Sequence, residues 1–228
     1  MSVTSRTNIC NLALGHLGCA AEISNVDTER SAEARACRRF YSLVRDVILR
    51  DFNWPFARRV VKPELITENP SSKWCFSYRY PNDAIRLIQI YPDTERVSTY
   101  QYYEAQEFYR IPYVIARDGD ARAIWTNLDE PELEYICDLE EVIDYPADFQ
   151  LAFSYLLAGH IAPTVTSGDP FNNGARSFQL YNQAIVKARA NAANETEQGP
   201  ERESEFISTR EGYQHHDERY WYKRSRET

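Results

Sequence analysis

The sequence predicts an α+β fold, mainly helical, from three changes of rhythm along the chain. Apolar residues recur about every 3.6 positions before residue 57, alternate between about 58 and 145, and return to helical spacing after Pro146. These changes divide the chain into an N-terminal helical hairpin at 1–57, a β-rich module at 58–145, C-terminal helices at 146–192 and a tail at 193–228. A chain of 228 residues has room for one large domain or two small ones. It can bury about 70% of its unfolded surface without a metal or disulfide staple.

The first helix starts from Thr4 or Ser5 as N-cap and buries Ile9, Leu12, Ala13 and Leu17 until Gly18 closes it. Asp27-Thr28-Glu29 supplies a start signal for a longer helix, in which Ala34, Cys37, Tyr41, Val44 and Ile48 step by three and four. Asn53-Trp54-Pro55 ends it, because the residue before proline is pushed out of helical geometry. Beyond it, Trp74, Phe76, Tyr78 and Tyr80 alternate with smaller or charged residues. A turn at Pro81-Asn82-Asp83 then leads into 85–90, which predicts an antiparallel hairpin of these two runs. Further strands are expected at 97–103, 107–117, 121–126 and 132–139, with Asp118-Gly119-Asp120 as a turn. Pro146 suits a first helical turn, and Phe149, Ala152, Phe153, Leu156, Leu157 and Ile161 make a broad apolar face ending before Pro163. A last helix begins near Asp169-Pro170 and continues through Ala192.

Composition narrows the function classes. The net charge is -8 and the pI about 5.1, so the chain as a whole has no electrostatic footprint for gripping nucleic-acid phosphates. Aromatics make up 13% and glycines number only 8, which suits contact through amphipathic rings more than a Gly-rich nucleotide site. Of 26 basic residues, 22 are Arg, a bias that either genome composition or bidentate pairing at interfaces produces. The five cysteines are scattered, without C-x-x-C spacing, and read as reduced. The start Met-Ser-Val-Thr-Ser-Arg lacks a secretion pattern, so maturation in a cytoplasm is expected. The apolar run 149–165 is interrupted by polar residues and proline, and reads as a buried helix rather than a membrane span.

No G-x-S-x-G, H-E-x-x-H, Walker loop or G-x-G-x-x-G is present, so neither a catalytic residue, a metal site nor a cofactor is assigned. His16 and His160 sit on apolar faces and read as structural. Cys137 has Glu134, Asp138 and Glu140 for neighbours, which raise a thiol pKa rather than lower it. Carboxylate pairs such as Asp129/Glu130 and Glu140/Glu141 leave open a carbohydrate-cleaving enzyme, in which two acids flank the scissile bond.

Charge is segregated. Residues 30–62 hold nine basic and three acidic side chains, whereas 123–175 contain no Lys or Arg. Two solvated faces on a monomer would show this pattern, and so would head-to-tail self-association of a basic face with an acidic one. The candidates for subunit contact are Arg35, Arg38, Arg39 and Arg45. The tail, with nine acidic and six basic residues, cannot make a core of its own. It ends in Tyr213, Arg219, Tyr220, Trp221, Tyr222, Lys223, Arg224 and Arg226, a composition suited either to an arm that orders on a partner or to a frayed end.

Several runs taken together resemble a known family. They are Ile9 to Gly18 (ICNLALGHLG), Ser31-Ala32-Glu33-Ala34-Arg35 with Cys37, Tyr41, Arg45-Asp46 and Asn53-Trp54-Pro55-Phe56-Ala57. Tyr78 to Asp83 with Ile85-Arg86, and the helix from Tyr181 to Ala190, follow in similar order. Over about residues 4 to 192 the chain resembles the head-to-tail adaptor proteins of short-tailed bacteriophages, also called tail tubular protein A. The resemblance implies an antiparallel helical bundle with an inserted antiparallel β-rich module and an extended C-terminal arm. It further implies a non-enzymatic virion protein, assembled in the host cytoplasm as a twelve-membered ring between portal and tail nozzle, with the arm reaching the portal. DNA would pass through without specific binding, and no membrane is involved. Twelve copies would carry about -96, an acidic sleeve that repels phosphate. Asp129, Glu130, Glu132, Glu134, Glu140 and Glu141 are the candidates to face the lumen or the nozzle. A monomeric protein-binding module is the remaining alternative.

Overall fold

The computed structural model of the chain describes residues 5–92, 111–140, 142–166 and 169–195. Its helices are α1 (Arg6–His16), α2 (Ala32–Asp51), α3 (Ala147–Val165) and α4 (Pro170–Asn194). Between α2 and α3 run β1 (Arg58–Val61), β2 (Leu65–Glu68), β3 (Phe76–Arg79), β4 (Ala84–Pro92), β5 (Tyr113–Asp118), β6 (Ala121–Thr126) and β7 (Pro131–Cys137). The chain is an α+β fold with two antiparallel sheets, ordered β1-β7-β4 and β2-β3-β6-β5.

Local chemistry sets the helix ends. The Ser5 hydroxyl accepts the Asn8 N–H at 3.3 Å to start α1, and Gly18, at φ +72°, closes it. The second helix starts later than Asp27-Thr28-Glu29 predicts. The Asn25 side chain accepts the N–H groups of Asp27 and Thr28, and the Arg38 guanidinium takes the carbonyls of Val26 and Glu29, so that stretch stays a turn. Ser31 is the N-cap instead, accepting from Ala34 at 3.3 Å. At the other end the Trp54 indole donates to the Ile48 carbonyl at 2.8 Å, taking up an orphan acceptor of the last turn.

Helix α3 is apolar nearly all round, and it packs against α1, α2 and α4. It runs through Pro163 rather than ending before it, because the next bond, Thr166 N–H to the Ala162 carbonyl at 3.1 Å, is made. Against α4 the approach is close: a Cβ at Gly159 would stand 2.8 Å from the Phe178 ring. Beneath α3, Trp54, Phe56, Tyr145 and Phe149 stack edge to face, with Phe149 at 5.0 Å from Trp54 and 4.9 Å from both Phe56 and Tyr145.

The strand region corrects the predicted hairpin. β3 and β4 do not pair with each other: β3 lies between β2 and β6, while β4 pairs with β7 in the other sheet. Alternation reveals which face of a strand is buried but not which strand lies beside it. Here Pro81 offers no N–H, Tyr80 N–H goes to the Arg122 carbonyl, and Asp138 N–H goes to the Asp83 carbonyl at 2.6 Å. The chain therefore changes sheets at the turn. The β5–β6 hairpin forms as expected, with Gly119 at φ +59°. Strands β1 and β2 were not expected, being short, exposed and without alternation. The strand expected at 97–103 and the start of the one at 107–117 lie outside the described residues.

Candidate functional site

Helix α2 sorts its four candidate arginines onto two sides. Its buried stripe is Ala34, Cys37, Tyr41, Val44 and Ile48, and residues flanking that stripe turn inward. Arg45 is only 8% exposed and holds Asp138 at 2.6 Å and Asp46 at 3.2 Å. Arg38 is half-buried and bonded to the two carbonyls already described. Both side chains therefore hold α2 to its own fold. Arg35 and Arg39 are exposed and make no ion pair among the described residues. From them the same outward face continues through Leu43, Val47 and Arg50.

The acidic candidates also separate. Asp129 and Glu130 are exposed in the turn between β6 and β7, where the Glu130 N–H donates to the Tyr78 hydroxyl at 3.0 Å. Glu132 is half-buried at the start of β7, and Glu140 is exposed beyond its end. Glu134 differs from the other acidic candidates. It is 5% exposed, with Arg58 at 3.0 Å and the Gln89 amide at 2.7 Å, so its charge is neutralised inside the sheet. Glu141 and the tail residues Tyr213, Arg219, Tyr220, Trp221, Tyr222, Lys223, Arg224 and Arg226 lie outside the described residues.

The nucleophile and base types are engaged in structure. His16 Nε2 lies 3.0 Å from Ser154 Oγ, and its ring stacks on Tyr155. Ser154 donates its proton to the Leu151 carbonyl at 2.8 Å, so the imidazole is the donor in the His16–Ser154 bond and does not draw a proton from the hydroxyl. His160 sits between Phe40 and Phe178. Burial lowers the pKa of both histidines, keeping them neutral. Cys137 is a buried residue of β7 whose thiol burial pushes up. Cys10 of α1 and Cys37 of α2 are both buried, and the neighbouring Cys37 thiol together with burial pushes the Cys10 thiol up.

One cleft, about 380 Å³, opens between α2 and the turn before β4. Asp46, Val47, Arg50, Asp83, Ile85 and Asp138 line it. Its carboxylates are already paired, Asp83 with Arg59 at 3.0 Å and with the Tyr135 hydroxyl, Asp138 with Arg45. The Tyr135 phenol is pushed up to about 12 by burial and by its bond to Asp83. Among the described residues, no group of three or more His, Cys, Asp or Glu is placed to hold a metal ion, and no helix is long and apolar enough to cross a membrane.

Among the exposed surfaces are the outer face of α2 and the short turn Val142–Asp144. The exposed residues on them are aliphatic: Leu43 at 55% exposure, Val47, which flanks the buried seam in sequence, at 52% and Ile143 at 65%. The signal was present in the helix, since 43 and 47 fall out of phase with the buried positions 41, 44 and 48. No protein-family model and no curated protein matches the chain.

Proposed function

We propose that this chain is a virion structural protein, a head-to-tail adaptor that forms a ring between portal and tail nozzle of a short-tailed bacteriophage and lets the genome pass through its bore. The observation that carries the reading is the shared order of the resembling runs, from Ile9–Gly18 to Tyr181–Ala190, on a chain whose elements run helix, strand, helix. Those runs supply the caps, the Trp54 anchor and the helix contacts of the fold, and an adaptor needs such a rigid wall more than it needs a reactive group. Net charge supports it as well. An assembly of acidic subunits repels phosphate, so DNA slides without sticking, and Asp129, Glu130, Glu132, Glu140 and Glu141 remain the proposed lining or nozzle contacts.

In this reading the tail beyond Glu195 engages the portal through its aromatic and arginine residues. Truncation after residue 195 leaves a folded subunit, with an unchanged circular-dichroism melt, that no longer joins portal rings in negative-stain images. Truncated protein that still co-assembles with portal removes the tail from the account. Virions that assemble normally and hold their genome without this chain overturn the adaptor reading itself.

A further inference from the structure

We infer that the outer face of α2 in one copy of this chain receives the Val142–Asp144 turn of a second copy, with Leu43 and Val47 covered by Ile143 and the arginines around them paired with Glu140 and Asp144. The inference deepens the adaptor reading, on which it rests for the premise that copies assemble, by naming the two surfaces that meet.

Each surface has an aliphatic centre and a charged rim, and the rims have opposite sign. On α2, Leu43 and Val47 stand exposed with Arg35 and Arg39 toward one end of the helix and Arg50 at the other. None of the three arginines makes an ion pair among the described residues. Asp46 shares this side of the helix, but its carboxylate is occupied by Arg45. On the turn, Ile143 is the most exposed large aliphatic among the described residues, at 65%, and Glu140 and Asp144 are exposed near it and make no ion pair among the described residues. An apolar centre enclosed by matched charges is the arrangement by which interfaces exclude water and select a partner.

The turn is anchored to its own fold. Val142 and Tyr145 are buried beneath it, the Tyr145 hydroxyl donates to the Leu139 carbonyl at 2.5 Å, and Gln150 donates to the Tyr145 carbonyl at 2.7 Å. Just before it, Asp138 is clamped to Arg45, which lies on the inward side of α2. The opposite charges of the two rims make a second copy the occupant that matches this face. Because the two surfaces differ, each copy both gives and receives, so the contact runs head to tail or closes reciprocally.

Two reversed chains test this. One carries Arg35→Glu and Arg39→Glu, the other Glu140→Arg and Asp144→Arg, each checked for an unchanged melt. In sedimentation velocity at low salt, the wild-type chain self-associates with rising concentration, and either reversed chain alone does so at least about tenfold more weakly. Mixing the two reversed chains restores association, because each then meets its opposite. In a Cys75→Ser background, Leu43→Cys and Ile143→Cys chains form a mixed disulfide when combined under mild oxidation. The inference fails if the wild-type chain stays monomeric to its solubility limit, if either reversal leaves association unchanged, if mixing restores nothing, or if the mixed disulfide does not form. Virions that assemble with either reversed chain overturn this contact and leave the adaptor reading standing. Virions that assemble without the chain at all overturn the adaptor reading, while the mixed disulfide still reports on the contact.

Discussion

The helices and the strands of this molecule are held by different forces. Around α3 the contacts are apolar and aromatic, from Trp54 and Phe149 through Phe153 to Ile161, all essentially buried. Among the strands, charge is used internally: Glu134 with Arg58 and Gln89, Asp83 with Arg59 and Tyr135, Arg79 with Glu64, Ser77 with Asp118. The difference shows where charge is left over for a partner. Strand residues pair much of theirs within the chain, whereas α2 engages Arg38 and Arg45 in its own fold and turns Arg35, Arg39 and Arg50 outward.

The comparison breaks most directly at Phe149. Phe149→Ala removes the ring on which Trp54, Phe56 and Tyr145 stack, and should cost about 3–5 kcal/mol in urea denaturation. A loss below about 1 kcal/mol would mean that the helical core is not organised around it. The strand counterpart is Glu134→Ala, which strands a partly exposed Arg58 and should cost about 2 kcal/mol by the same measurement. Replacing Glu134 and Arg58 together with Leu and Met should recover most of that loss, since paired charges inside a protein are costly to desolvate. A double variant no more stable than Glu134→Ala would show that the pair itself is a net stabiliser.

Smaller effects sharpen the picture on the helical side. Gly159→Ala gains about 1 kcal/mol of helix propensity but drives a methyl against the Phe178 ring, an overpacking cost of about 1–3 kcal/mol. The net expectation is a loss of about 1 kcal/mol, relieved in a Phe178→Leu background. The smallest effect is in pH. The folded chain holds His16 and His160 neutral by burial, so their pKa values lie below the ordinary 6.5. Unfolded chain takes up protons first as pH falls, so the full stability is present above 6.5 and declines from there down through the folded values. Asp138 acts in the opposite sense in the carboxylate range, since burial raises its pKa and ionisation there disfavours the fold. Thermal melts should therefore fall between about pH 7 and pH 5, and His160→Phe should flatten that slope. An unchanged slope would place the titrating groups elsewhere.

The α+β class, the seam of α2, the extent of α4 and the β5–β6 turn were legible from residue order, because helix period, caps and Gly119 act over a few positions. Less of the candidate site was. Arg35, Arg38, Arg39 and Arg45 look alike in sequence, yet two bind their own fold and two face outward. Glu134 looks like its acidic neighbours, yet it is buried against Arg58.

By itself, then, the order of residues determined where the backbone coils, where it extends and where it turns, since those choices rest on dihedral preference and on contacts within one or two turns. Only the tertiary structure decided which strands became neighbours and which charges were left unpaired. Pairing across Glu134 and Arg58, or Asp138 and Arg45, joins residues far apart along the chain, and no local periodicity encodes it.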